Sequence, residues 1–169
     1  MIGTGYVGLV SGSCFADLGN VVYCVDKDKK KIDMLNNKNV PIFEPGLKEI
    51  ISKNYSSGRL KFTTNLNLAV KNSDIIFICV GTPTSKKSRS ADLQYVFSAA
   101  KELSKYINRF KIIVTKSTVP IATGDKIEKI ISNKKSKKLF EVVSNPEFLR
   151  EGDAIRDFRF PDRIVVGSN

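Results

Sequence analysis

The sequence contains no histidine among its 169 residues. That excludes histidine-based catalytic triads and any metal site that relies on imidazole ligands. It also lacks a run of about 18 apolar residues, the length a membrane-crossing helix needs. Cysteine is scarce, with only Cys14, Cys24 and Cys79. No two of them have C-x-x-C spacing, and each falls inside an apolar helix or strand pattern. They read as buried, reduced thiols of a cytoplasmic protein. A secretory leader is not evident, because the chain opens on a glycine loop rather than a basic segment followed by an apolar one. Internal repeats and low-complexity linkers are missing as well. What remains is 41% hydrophobic and 27% charged, a composition that suits one globular domain with a real core.

The net charge is +11, which raises the question of nucleic acid. The lysines cluster in short runs at Lys27 to Lys31, Lys86-Lys87 and Lys134 to Lys138. These runs fall in helix starts and loops and carry no interleaved aromatics. We read them as a solvated surface and expect neither a nucleic-acid nor a membrane partner. An anionic cofactor and substrate would gain from the positive field.

The most informative segment comes first: Ile2-Gly3-Thr4-Gly5-Tyr6-Val7-Gly8, a G-x-G-x-x-G loop. Gly3 would permit the tight turn out of a strand. Gly5 would let the backbone approach a pyrophosphate, and Gly8 would let the next helix pack closely on the sheet. The helix start offers free N–H groups and a partial positive charge to phosphates. The stretch Val10 to Leu18 is predicted as that helix, with Gly19-Asn20 as its C-cap. A buried strand over Val21 to Val25 then ends in Asp26, at the distance of about 20 residues where a ribose-binding carboxylate belongs. An acid there accepts from ribose hydroxyls and repels a 2′-phosphate, which favours NAD over NADP. The alternative is a structural turn with a solvated acid. Only Met1 and Ile2 precede the loop, so the first strand is expected to be largely missing.

Strand and helix patterns alternate from there on. Helices are predicted over Lys29 to Leu35, Leu47 to Tyr55, Asn65 to Val70, from an Asp92 cap to Tyr106, and over Ile121 to Ile131. Strands are predicted over Leu60 to Thr63, Ile75 to Val80, Ile112 to Val114, Leu139 to Val143 and Arg163 to Val166. The uninterrupted apolar run Ile75 to Val80 has the character of a central parallel strand. The whole is an α/β, Rossmann-type doubly wound parallel sheet with helices on both faces. Ligands of such sheets sit beyond the carboxyl ends of the strands.

Three further motifs fall at those ends. Gly81-Thr82-Pro83-Thr84 follows one strand, and Thr82 has a hydroxyl to offer a cofactor; a plain turn is the alternative. Lys116-Ser117-Thr118-Val119-Pro120 follows the next, with Pro120 expected to start a helix; a simple Ser/Thr cap competes with a ligand contact. Asn145-Pro146-Glu147-Phe148-Leu149-Arg150-Glu151-Gly152 follows a third. There Glu147 is a candidate to hold or activate a water and Arg150 to meet a phosphate. A capped helix start with a surface salt bridge is the competing explanation.

Taken together, these blocks, with Pro161-Asp162-Arg163-Ile164-Val165-Val166-Gly167, resemble the N-terminal NAD-binding domain of the UDP-glucose/GDP-mannose dehydrogenase family across residues 1–169. The resemblance implies oxidation of the C6 alcohol of a UDP-sugar, UDP-glucose first, to a carboxylate by two NAD-dependent hydride transfers. The alternatives are another nucleotide sugar, such as UDP-N-acetylmannosamine or GDP-mannose, or a fragment that retains only nucleotide binding. By the same resemblance, Gly3, Gly5, Tyr6, Val7, Gly8, Asp26, Lys31, Thr82, Pro83, Thr118 and Glu151 would contact NAD. Glu147, Phe148, Leu149, Arg150 and Glu151 would lie on the UDP-sugar, and Thr118 and Glu147 would act catalytically by positioning a water. No metal is implied.

The chain departs from the family pattern at both ends. The family's nucleophilic cysteine, which lies in a Gly-rich motif of a later domain, has no counterpart here. The central helix with its dimer contacts and the UDP-binding C-terminal domain are likewise absent. Phe160 stands where the family often has a basic residue. This reading makes residues 1–169 one NAD-binding domain of a longer, homodimeric dehydrogenase, inactive by itself.

Overall fold

The structure, a computed structural model, describes residues 1–84 and 91–168. The Lys86-Lys87 run lies outside the described residues. Among the described residues five strands, β1 (Val22–Val25), β2 (Leu60–Thr63), β3 (Ile75–Ile78), β4 (Lys111–Thr115) and β5 (Phe140–Ser144), all pair in parallel. β1 pairs with β2, and β3 pairs with β4 and β4 with β5. Ile2 joins the two groups, with a parallel bridge to Val25 on one side and to Ile78 on the other. The Ile2 N–H donates to the Phe77 carbonyl and its own carbonyl accepts from Cys79 N–H, both at 2.8 Å. The order across the sheet is therefore β2-β1-Ile2-β3-β4-β5. Met1 and Gly3 bond the β1 side through Val25 and Tyr23, and Ile2 bonds the β3 side, so three residues do the pairing of the first strand.

Among the described residues seven α-helices accompany the strands: α1 (Tyr6–Asp17), α2 (Lys29–Asn36), α3 (Leu47–Ser56), α4 (Leu66–Lys71), α5 (Gln94–Leu103), α6 (Thr123–Ser132) and α7 (Ala154–Arg159). Side-chain caps fix several starts. Asp28 accepts from Lys31 N–H and Asn65 from Leu68 N–H, and Asp92 accepts from Gln94 N–H at 2.9 Å, each satisfying a first-turn donor. One core cluster lies under α4, α5 and α6, with Val70, Val96, Leu103, Ile127 and Ile131 closing on Ile2, Ile76, Ile78 and Ile113. The other lies under α1, α2, α3 and α7, where Leu9, Val10, Ile32, Leu35, Leu47, Ile51 and Ala154 meet Cys24, Leu60 and Phe62. Helices thus cover both faces. The chain winds outward from Ile2 to β2, then crosses back through α4 to β3. The strand order reverses between Ile2 and β3, which is where open α/β sheets bind ligands.

Several details differ from the sequence reading, which placed no helix at α7 and ran β3 on to Val80. The first helix begins at Tyr6 rather than Val10, because the last glycine of the loop, Gly8, is already inside it. Pro120 does not start α6: Ile121 is fully exposed, Ala122 adopts φ 65°, and the Thr123 N–H and hydroxyl both return to the Pro120 carbonyl. Arg163–Val166 is not a strand. The segment has exposed apolar side chains at Ile164, Val165 and Val166 and is held to the end of β5 by an antiparallel bridge between Ser144 and Gly167. Its apolar run Ile164-Val165-Val166 has the composition of a strand, but among the described residues its backbone pairs with β5 only at the Gly167 bridge.

Candidate functional site

The glycine turn is shaped by three different constraints. Gly3 sits at φ 99°, and a Cβ there would come 2.8 Å from the Cys79 carbonyl oxygen. A Cβ on Gly8 would come 2.0 Å from the Gly3 carbonyl oxygen. Gly5, by contrast, faces open space, with nothing within 4 Å of where its Cβ would stand. Gly3 and Gly8 are therefore required by the fold, while Gly5 leaves room for something else to approach. Behind it, the first-turn amides of α1 lack intrahelical acceptors, as at every helix start.

A cavity of about 730 Å³ opens beside this turn at the switch point, lined by Gly3, Gly5, Asp26, Lys31, Asn65, Gly81, Pro83, Tyr95 and Glu102 among others. Asp26 is held firmly at its rim. Thr4 donates to Asp26 Oδ2 twice, from its N–H at 2.9 Å and its hydroxyl at 2.7 Å. The Asp28 N–H donates to Oδ1 at 3.1 Å, and Lys31 Nζ lies 3.5 Å from Oδ2. Burial alone pushes this carboxyl up, but the bonds from Thr4 and Asp28 and the Lys31 charge outweigh it and hold the group below its ordinary range. Asp26 is therefore ionised, and Oδ1 keeps a lone pair for a hydroxyl donor. An open glycine, unpaired helix-start amides and a fixed carboxylate are the donor and acceptor set that a dinucleotide requires. NAD fits these residues.

A second cavity, of about 650 Å³, is lined by Lys116, the Asn145–Arg150 segment, Phe158 and Pro161–Ile164. Lys116 is buried and donates to Asn145 Oδ1 at 3.1 Å. Burial lowers its pKa, opposed by the neighbouring Cys79 and Glu147. Asn145 in turn donates to the Val165 carbonyl at 2.8 Å, which ties the exposed 163–166 arm to the end of β5. Glu147 Oε2 accepts the Leu149 N–H at 2.6 Å, so its carboxylate stays within its own loop. Arg163 stacks over the Phe148 ring, 4.4 Å from its centroid.

The Arg150 side chain is ion-paired at the surface. Its guanidinium donates to Asp157 Oδ1 at 2.6 Å and to Asp153 Oδ2 at 3.1 Å, and its backbone N–H also goes to Asp157. This is the surface salt bridge that the sequence left as the competing explanation. Of the residues expected at the cofactor, Gly3, Gly5, Asp26, Lys31 and Pro83 line the switch-point cavity. Tyr6, Val7 and Gly8 belong to the same turn but lie outside that lining, as do Thr82, Thr118 and Glu151. The Thr82 hydroxyl reaches the Thr118 carbonyl at 3.4 Å, bringing the ends of β3 and β4 together. Glu147, Phe148, Leu149 and Arg150 share the second cavity, whereas Glu151 is exposed.

The sequence reading missed two residues that hold the turn. Thr4 is fully buried and fixes Asp26. Glu44 is 6% exposed and accepts from Tyr6 O–H, from Gly152 N–H at 2.9 Å and from Ile155 N–H at 3.2 Å. Thr4 sits between two glycines and could have been found by asking what the inner residue of the turn faces. For Glu44, in the irregular Pro41–Pro45 loop, no periodicity gives a signal.

A glycine turn opening onto the switch point of a doubly wound parallel sheet places the chain among the nucleotide-binding domains of dehydrogenases. The comparison with known proteins narrows this. The chain belongs to the UDP-glucose/GDP-mannose dehydrogenase family, whose NAD binding domain matches residues 1–169. It is 56% identical over 167 residues to the UDP-glucose 6-dehydrogenase of Rhizobium meliloti (strain 1021), covering 99% of this chain and 38% of that protein. A UDP-glucose dehydrogenase structure from the hyperthermophilic archaeon Pyrobaculum islandicum superimposes with a TM-score of 0.94 at 41% identity, covering 99% of this chain and 40% of that one. A GDP-mannose dehydrogenase ternary complex from Pseudomonas aeruginosa gives 0.93 at 39% identity, again over 99% and 40%. The chain spans well under half the length of these relatives. NAD is the cofactor of this domain of the family.

Proposed function

We propose that the chain is the cofactor-binding part, residues 1–169, of an NAD-dependent UDP-glucose 6-dehydrogenase that converts UDP-glucose to UDP-glucuronate. The observation that carries this is the 56% identity to such an enzyme across 99% of the chain. The two cavities support it, because the first suits a dinucleotide and the second is a separate space for a substrate. NAD supplies a hydride acceptor. The chain's own part is to hold it: the turn at Gly3, Gly5, Tyr6, Val7 and Gly8 meets the pyrophosphate, Asp26 with Lys31 beside it meets the ribose, and Thr82, Pro83, Thr118 and Glu151 border the rest.

On the substrate side, Glu147 to Glu151 border the sugar, and Glu147 with Thr118 positions a water. A carboxylate held by a single backbone N–H keeps acceptor capacity for that water. Lys116, buried nearby, compensates charge at Glu147. The three buried thiols suit a reducing, cytoplasmic setting, and the lysine runs remain a solvated surface. We further propose that the covalent step belongs to a cysteine outside this chain, in a longer form that is a homodimer.

A second nucleotide sugar is the competing reading, favoured by the equally good superposition on a GDP-mannose dehydrogenase. The test is direct. The purified chain should bind NADH weakly and make no UDP-glucuronate. Its full-length parent, assayed with UDP-glucose, UDP-N-acetylmannosamine and GDP-mannose, should reduce NAD only with the first. Robust turnover by this chain alone would overturn the assignment of the nucleophile elsewhere.

A further inference from the structure

Glu44 lies in the loop before α3 and lines neither cavity, yet its carboxylate is buried and fully engaged. Three donors converge on it: Tyr6 O–H from the glycine turn, and the N–H groups of Gly152 and Ile155 from the far end of the second cavity's loop. The Gly152 N–H is shared, lying 3.0 Å from the Tyr6 hydroxyl oxygen as well. Every partner of this carboxylate is a donor, so only an acceptor can occupy the position. Tyr6 stays a donor at all ordinary pH values, because burial and the bond to Glu44 push its pKa up to about 12.

We infer that Glu44 is a positioning residue that couples the glycine turn to the Glu147–Gly152 loop, so that a dinucleotide bound at the turn orders the substrate-side loop. The inference rests on the reading of the turn as the dinucleotide site. Tyr6 is the first residue of α1, next to Gly5, where a ligand has open space to approach. A shift of Tyr6 changes the geometry at Glu44, and Glu44 holds the two amides that end the other loop. Gly152 has φ 91°, a conformation that glycine tolerates and that lets its N–H point inward. The connection runs through hydrogen bonds between buried or half-buried groups, where each bond is worth more than at the surface.

Two substitutions test this. Glu44→Gln keeps the shape but turns one acceptor oxygen into an NH2 that must face a donor. Tyr6→Phe keeps the ring and removes only the hydroxyl. NADH affinity is read by its fluorescence, which no tryptophan obscures in this chain. Loop order is read by amide hydrogen exchange over residues 147–155, and circular dichroism confirms that each variant is folded. In the unaltered chain, saturating NADH should slow exchange in this segment about tenfold, a coupling of about 1.4 kcal/mol. In both variants, at NADH concentrations that saturate them, the slowing should fall to about twofold or less, and in Glu44→Gln NADH affinity should change by about threefold or less. If Glu44→Gln does not fold, Tyr6→Phe carries the test. Slowing that survives in the folded variants, or that is missing in the unaltered chain despite NADH binding, overturns the coupling alone. Failure of the unaltered chain to bind NADH overturns the coupling together with the dinucleotide reading beneath it.

Discussion

Thr4 holds Asp26 by two bonds to one oxygen, a backbone N–H at 2.9 Å and a hydroxyl at 2.7 Å. The other oxygen carries only the Asp28 N–H. This division fixes the carboxylate and leaves one face of it toward the cavity. Thr4→Val keeps the volume and the backbone bond but loses the hydroxyl. We expect NADH binding to weaken about tenfold, or about 1.4 kcal/mol, with little change in melting temperature. Asp26→Asn should weaken NADH binding further. It should also lower the ratio of NADPH to NADH dissociation constants about tenfold, because the repulsion of a 2′-phosphate disappears. Fluorescence titrations with both cofactors measure these effects.

Two glycines of the same turn should respond in opposite ways. Gly8→Ala places a Cβ 2.0 Å from the Gly3 carbonyl oxygen, and neither backbone can retreat without moving α1 off the sheet. Its melting temperature should fall by about 10 °C or more. Gly5→Ala meets nothing within 4 Å at an ordinary φ of −69°, so the fold should melt within about 2 °C of the unaltered chain. NADH binding should nevertheless fall about tenfold or more, since the methyl group occupies the approach to the helix-start amides. A Gly5→Ala variant that binds NADH normally would remove that turn from the pyrophosphate site.

The glycine turn, Asp26 and the parallel order were legible in the sequence because each is a local signal. A turn needs glycines in a short span, and a buried parallel strand such as Ile75–Ile78 is a run of apolar residues. The strand expected over Arg163–Val166 has such an apolar run too, at Ile164-Val165-Val166. An apolar run does not report whether a neighbouring strand is there to pair with it, and among the described residues this one meets β5 only at the Gly167 bridge. Glu44 was illegible for a different reason. Its partners stand 38, 108 and 111 residues away, and neither composition nor spacing around Phe43-Glu44-Pro45 encodes a contact of that range. The salt bridge of Arg150 to Asp157 was visible only as an alternative, because an arginine between carboxylates has the same sequence pattern whether or not it is already paired.

Acid stability should depend on Asp17 at the end of α1. Its bonds to Lys53 at 2.8 Å, Asn54 at 3.1 Å and Arg159 at 2.8 Å bring its pKa down from 3.8 to about 2, with Lys53 the largest cause. A depressed folded-state pKa means that this carboxylate stabilises the fold above about pH 4. That contribution is lost as pH falls through about 2. Asp17→Asn should therefore melt at a lower temperature than the unaltered chain at pH 7. The difference should shrink as pH falls below about 4 and close by about pH 2. A constant difference across that range would show that the charge at Asp17 contributes nothing.

Cys79 lies directly beneath the glycine turn and borders the switch-point cavity, the nearest of the three thiols to where chemistry would occur. A Cβ on Gly8 would stand 3.1 Å from its own Cβ. Position alone would make it a candidate nucleophile, but its environment argues otherwise. Burial pushes the thiol up to about 12, and burial likewise lifts Cys14 and Cys24 to about 11. The nucleophilic form is the thiolate, and at neutral pH that form is a negligible fraction of each. Cys79 is 7% exposed, Cys14 1% and Cys24 0%, so reagents reach them poorly as well. In the native chain at pH 8, a thiol-disulfide reagent should label all three only on the timescale of unfolding, and at once after denaturation. Cys79→Ala should leave NADH affinity within about twofold. Rapid labelling of Cys79 in the folded chain, abolished by NADH, would instead make this thiol accessible from the cofactor cavity and reopen it as a participant in the reaction.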